Sequence, residues 1–155
     1  MPIGFIGLGV MGMPMAAHLA RAGHMLWGWS RSDRNHATAR AAGIRVSAAA
    51  GDVFDACATI VLMLANDPAI DAVLSRNSPA FAARVEGRLV INMGTSSAEY
   101  SQALGEQIRA AGGPYVEAPV SGSRPQAEAA TLAIMLAGDA ADVADTPQLL
   151  SPLCT

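Results

Sequence analysis

Lysine is missing altogether: all ten basic residues of the 155 are arginine. Cysteine is almost as scarce. Cys57 and Cys154 lie far apart, with no second Cys or His at metal-ligand spacing, so the sequence supports neither a disulfide framework nor a zinc site and leaves two isolated reduced thiols. Charge is sparse too, at 15% of residues with a formal net charge of -3. That balance excludes the basic footprint of a dedicated nucleic-acid binder, although it permits local basic clusters. Long hydrophobic runs are absent. The stretch from Ala58 to Ala65, broken only by Thr59, falls far short of the roughly 20 residues that cross a bilayer. The N-terminus has no basic region leading into an apolar core and cleavage site, so no export signal is read and a cytoplasmic location is expected.

What is present is apolar: 52% of residues are hydrophobic, enough to bury a core and incompatible with a charge-rich disordered chain. One compact domain over residues 1–155 is expected, without internal repeats, low-complexity tracts or flexible linkers. Ile3, Phe5 and Ile6 form a short strand almost at the start. From Val10 to Ala22 the apolar residues Met11, Met15, Leu19 and Ala22 recur three and four apart, the spacing of one helix face. Gly23 supplies the stop. The alternation continues with a strand over Met25–Trp29, a helix over Asp33–Ala42 ended by Gly43, a short strand over Ile44–Val46, a helix over Ala48–Ala56 and a strand over Thr59–Leu64. Helices over Asp67–Leu74 and Ala98–Ala111 flank a strand over Leu89–Asn92. Strands over Tyr115–Val120 and Leu132–Leu136 and a helical stretch near Ala140–Leu150 complete the pattern. Strands alternating with helices predict an α/β fold, doubly wound and Rossmann-type, with a mostly parallel sheet covered on both faces.

Directly after the first strand stands Gly7-Leu8-Gly9-Val10-Met11-Gly12, a GxGxxG between strand and helix. In that context the first glycine permits a tight turn, the second lets a pyrophosphate approach the backbone and the third lets the helix pack on the strand. Free N–H groups and the helix dipole would hold the phosphates. The competing reading is a glycine turn that only connects two elements. About 20 residues further on, an acid at the end of the second strand would bind the ribose 2′-hydroxyl of NAD. No acid stands there. Ser30, Arg31 and Ser32 occupy the place, with Arg34 close behind. A guanidinium fork suits a 2′-phosphate, so NADP is expected in preference to NAD; a solvated arginine at a helix start is the alternative.

The opening "GFIGLGVMGMPMAAHLARAGH" resembles the extended dinucleotide fingerprint of the β-hydroxyacid dehydrogenases, a family that includes 3-hydroxyisobutyrate dehydrogenase and, more distantly, 6-phosphogluconate dehydrogenase. His18 stands where that family usually has Asn. Asn92-Met93-Gly94-Thr95 is similar to the family's Asp-Met-Ser-Thr segment, which implies Thr95 near the nicotinamide end. Read without the family, it is a small-residue loop capping the next helix through Ser96 or Ser97. Leu64, Ala65 and Asn66 resemble the family's loop after the fourth strand, which passes close to the cofactor. Glu117-Ala118-Pro119-Val120-Ser121-Gly122-Ser123 is similar to the substrate segment Asp-Ala-Pro-Val-Ser-Gly-Gly. The likeness implies that Ser121, Gly122 and Ser123 offer a hydroxyl and backbone N–H groups to a substrate carboxylate. A loop whose serines cap only their own backbone is the alternative. Ala130 replaces a usual Gly.

The resemblance covers the first half of the family's architecture. Members continue into a helical domain that carries a catalytic lysine, which has no counterpart in this lysine-free chain. No catalytic residue and no metal ligand is therefore assigned here. The expectation is the NADP-binding domain of an oxidoreductase that interconverts a small β-hydroxyacid and its semialdehyde or keto acid, inactive alone because that lysine lies beyond Thr155. A non-catalytic nucleotide-binding module and the cofactor half of an imine reductase are the other readings. A small carboxylate-bearing substrate is expected, with no nucleic-acid or membrane partner. Apolar surface beside the substrate loop is expected to favour a homo-oligomer.

Overall fold

The computed structural model describes residues 1–154. The first strand, β1 (Ile3–Ile6), is buried along its whole length. Such a strand must be covered on both faces, and its alternate side chains divide accordingly. Phe5 joins Val61, Ile91 and Val116 in one apolar cluster, while Ile6 joins Ile60, Leu62 and Val90 in a second. Each fully buried side chain of this size contributes about 1.5–3 kcal/mol.

The elements follow in the order α1 (Gly12–Arg21), β2 (Leu26–Trp29), α2 (His36–Ala41), β3 (Arg45–Val46), α3 (Ala50–Ala56), β4 (Thr59–Leu62), α4 (Asp67–Leu74), α5 (Ala80–Val85), β5 (Leu89–Asn92), α6 (Ala98–Ala110), β6 (Tyr115–Glu117), β7 (Val120–Ser121), α7 (Arg124–Ala129), β8 (Ala133–Ile134), β9 (Ala137–Gly138), α8 (Ala140–Val143) and α9 (Thr146–Leu150). A 3₁₀ turn over Ser151–Leu153 follows. The main sheet has the strand order β3-β2-β1-β4-β5-β6-β9. Every pairing in it is parallel except that of β6 with β9. Residues of α1, α2, α7 and α9 pack in the first cluster, and residues of α3, α4, α5 and α6 in the second. This is the doubly wound arrangement that the alternation predicts. Gly23 and Gly43 close α1 and α2 with φ of +94° and +82°, a conformation open to glycine.

The C-terminal third departs from the sequence reading. Tyr115–Val120 is not one strand. Pro119 has no N–H for a ladder bond, so β6 ends at Glu117 and the chain leaves the sheet. Val120–Ser121 then pairs antiparallel with Ala133–Ile134 in a separate two-stranded sheet. The expected strand over Leu132–Leu136 is therefore β8 of that hairpin. The main sheet takes Ala137–Gly138 instead. The helical stretch near Ala140–Leu150 is two short helices, broken ahead of Pro147, with Thr146 Oγ1 donating to Asp142 O at 3.2 Å across the break. Two helices, α5 and α7, lie where the sequence suggested none. Among the described residues no helix is long and apolar enough to cross a membrane.

Candidate functional site

Strand order fixes where a ligand can sit. From β1 the chain winds outward through β2 and β3, then returns to the other side of β1 and winds outward through β4, β5 and β6. The crossovers that leave β1 and β4 depart to opposite sides, which opens a crevice beyond their C-terminal ends. Gly7 follows β1 there, held by a bond from its N–H to Trp29 O at 2.8 Å, with φ of +109°. A side chain on Gly7 would collide with the Met63 carbonyl after β4, and one on Gly12 with the carbonyl of Gly7. Gly9 is different: nothing lies within 4 Å of where its Cβ would be. Two glycines close the turn, and the third leaves room for something else.

That room is a cleft of about 710 Å³. It brings together Gly7, Leu8, Gly9 and Val10 with Ser30, Arg31 and Ser32 after β2 and with Leu64, Ala65 and Asn66 after β4. No backbone carbonyl among the described residues accepts from the N–H of Val10 or Met11, no side chain caps α1, and its first turn holds no acid. The end of α1 thus presents free donors and the positive end of its dipole, as a phosphate requires. Arg31 and Arg34 are exposed, and neither forms an ion pair among the described residues. The donor set and the space over Gly9 fit a dinucleotide.

Several cleft residues escaped the sequence reading. Trp29, Asn35 and Met63 line it, as do Pro68, Ala69, Ala72 and Val73 of α4. The last four recur at helical spacing, a signal that also describes an ordinary packed face. Asn66 caps α4 by accepting from Ala69 N at 3.0 Å. His18 is outside the cleft, its Nε2 bonded to Glu128 O of α7 at 2.9 Å.

Met11 and Gly12 are expected site residues that do not line the cleft. Gly12 is buried behind it. Thr95 and Ser121–Ser123 also lie outside and are exposed, Thr95 on the loop after β5 and Ser121–Ser123 at the end of β7 and the start of the loop after it. Asn92 shapes the first of these loops. Its Oδ1 accepts from Gly94 N at 3.1 Å, its Nδ2 donates to Tyr115 Oη at 3.3 Å, and Tyr115 Oη and Ser101 Oγ lie 2.9 Å apart. All three side chains are buried. Burial raises the pKa of the Tyr115 hydroxyl, and its bonds with Ser101 and Asn92 oppose the rise. Tyr115→Phe leaves the Asn92 amide and the Ser101 hydroxyl short of a partner and is expected to cost about 1–3 kcal/mol, read as a lower urea midpoint. Ser97 caps α6 by accepting from Tyr100 N at 3.1 Å, while Ser96 donates to Asp67 Oδ1 at 2.6 Å. The second bond ties the Thr95 loop to the start of α4. On the β7 loop, both the N–H and the hydroxyl of Ser123 donate to Gln126 Oε1, at 2.9 and 2.7 Å. Ala130 ends α7 with φ of 55°, where the family's glycine would be at ease.

Sheet, switch point and glycine cradle define the class: a Rossmann-type dinucleotide-binding domain. Residues 2–155 match the family described as the NAD binding domain of 6-phosphogluconate dehydrogenase. The chain is 35% identical over 141 residues to 2-hydroxy-3-oxopropionate reductase of Escherichia coli (strain K12), covering 91% of this chain and 48% of that protein. It is 34% identical to glyoxylate/succinic semialdehyde reductase 1 of Arabidopsis thaliana, covering 91% of this chain and 49% of the relative. The solved 3-hydroxyisobutyrate dehydrogenase of Mycobacterium tuberculosis with L-serine superposes with a TM-score of 0.90 at 28% identity, over 99% of this chain and 52% of that one. The chain belongs to the β-hydroxyacid dehydrogenase family, as its N-terminal NAD-binding domain. It spans about half the length of the curated relatives it matches.

Proposed function

We propose that residues 1–155 are the NADP-binding domain of an oxidoreductase that interconverts a small β-hydroxyacid and its semialdehyde or keto acid. The observation that carries this reading is the meeting, in one cleft, of the open cradle over Gly9 with an arginine-bearing turn that has no acid at the end of β2. Gly7, Gly9 and Gly12 shape the pyrophosphate seat. The N–H groups of Val10 and Met11 donate to it, and Arg31, flanked by Ser30 and Ser32, takes the adenosine 2′-phosphate as a planar fork. Leu64, Ala65 and Asn66 form the opposite wall, and Thr95 is assigned to the nicotinamide end. When bound, the nicotinamide supplies or accepts the hydride.

Ser121, Gly122 and Ser123 are assigned to the substrate carboxylate. An anion reaching Ser123 displaces the Gln126 amide oxygen, which already accepts from both donors an anion would use. Proton transfer at the substrate hydroxyl has no assigned residue here, because the family's lysine has no counterpart among these residues. Titrating the purified chain with NADPH and NADH, by nicotinamide fluorescence alongside an assay with several small β-hydroxyacids, is expected to show NADPH binding without turnover. Turnover would assign the proton step to another residue or a partner chain. Arg31→Ala is expected to weaken NADPH by about ten- to a hundredfold and leave NADH nearly unchanged. Equal losses for both would remove the 2′-phosphate assignment.

A further inference from the structure

The turn that carries Arg31 is fastened by the protein's own contacts. At its front, Trp29 O accepts from Gly7 N. At its back, Asn35 Nδ2 donates to Leu8 O at 2.7 Å. Residues 30–34 are thus clasped at both ends onto the first two residues of the glycine loop. Inside the clasp, Ser30 Oγ donates its single proton to Ser32 O at 2.7 Å, and Ser32 Oγ accepts from Arg34 N at 3.3 Å. Ser30 Oγ also lies 3.2 Å from His36 Nε2. With its own proton spent on Ser32, the hydroxyl can only accept there, so Nε2 carries the hydrogen and the imidazole donates.

We propose that Asn35 and His36 are specificity-determining positioning residues: they preset the spacing between the pyrophosphate cradle and the arginine-bearing turn, and through it the preference for NADP over NAD. The proposal rests on the reading of Arg31 as the 2′-phosphate ligand. A loosened turn must be ordered by NADPH, whose 2′-phosphate uses its donors, whereas NADH has no group there and can bind with the turn loose. Loosening the clasp therefore penalises NADPH selectively. Asn35 lines the cleft wall, so its amide also fixes how far that wall stands from Leu8.

The test compares His36→Ala, His36→Gln, Asn35→Ala and Arg31→Ala with the parent chain, each titrated with NADPH and NADH and each melted without ligand. His36→Ala and Asn35→Ala are expected to weaken NADPH by about three- to tenfold, with NADH within about twofold. His36→Gln restores a side-chain N–H donor and is expected to recover most of the loss. Hydrogen exchange at the amides of residues 32–34 in the ligand-free chain is expected to quicken in the two alanine variants. If the parent prefers NADPH and Arg31→Ala abolishes that preference, while His36→Ala and Asn35→Ala leave it intact, the clasp proposal is overturned and the reading of Arg31 stands. A parent without any preference overturns both. Equal losses of NADPH and NADH in the alanine variants, or failure of His36→Gln to recover, make the contacts merely structural and overturn the proposal.

Discussion

Gly12→Ala is expected to destabilise the protein by about 3 kcal/mol or more, whereas Gly9→Ala is expected to fold normally and lose at least about tenfold in affinity for its dinucleotide. The two substitutions add the same methyl group three residues apart. At position 12 the methyl would run into the carbonyl of Gly7, with the Phe5 ring close behind at 3.1 Å. Backbone cannot swing aside as a flexible side chain can, so either the helix lifts from the strand or the turn opens. At position 9 the methyl meets nothing of the protein and occupies the cleft itself. Urea midpoints and nicotinamide fluorescence separate the outcomes. A stable Gly12→Ala variant would contradict the packing, and an unchanged affinity in Gly9→Ala would remove the cradle.

Stability is expected to fall steeply on the alkaline side. Burial pushes the Cys57 thiol from 9.0 up to about 11, with the Arg88 guanidinium opposing the rise, and burial also raises the Tyr100 and Tyr115 hydroxyls. Each group is neutral when protonated. Below pH 9 the thiol is protonated in both folded and unfolded chains and contributes no pH dependence. Above pH 9 the unfolded chain releases its thiol proton first, so it binds fewer protons than the folded one and stability declines until the folded thiol also ionises near pH 11. The thiol alone accounts for up to about 3 kcal/mol. Urea midpoints at pH 8 and pH 10.5 are expected to differ markedly, and Cys57→Ala is expected to flatten part of the slope. A profile unchanged by that substitution would show that the thiol titrates alike in both states.

The first two thirds of the fold, the short helix α5 apart, were legible because local pattern and global topology agree there. Apolar strands alternate with helices whose faces repeat at three and four residues, and glycines stand where the helices stop. The region after Glu117 was less legible. Pro119 could have marked the break between β6 and β7, but the sequence reading ran a single strand through it from Tyr115 to Val120. Ser123 and Gln126 are a cap pair three residues apart and Pro125 suits a first turn, yet α7 is too short to show a periodic face. For the site, the glycine loop and Arg31 were readable because their chemistry lies in residue type and spacing. The Asn35 and His36 contacts were not, since they depend on how closely α2 approaches Leu8, a distance set by packing. The α4 wall was hidden for a similar reason: Pro68, Ala69, Ala72 and Val73 look like any helix flank until β4 places them opposite the turn after β2.

Six consecutive strands of the sheet run the same way, so the residues assigned to the cofactor gather where these strands lead into helices, and the returns from helix to strand within the parallel set, Gly23 and Gly43 among them, lie on the opposite rim. The molecule therefore has a working end and a blind end. A fluorophore, an inserted peptide or a surface tether joined at the blind end, beside Gly23 for instance, would report on or anchor the folded chain while the cleft stayed open to solution. The same attachment beside Gly9 would silence it.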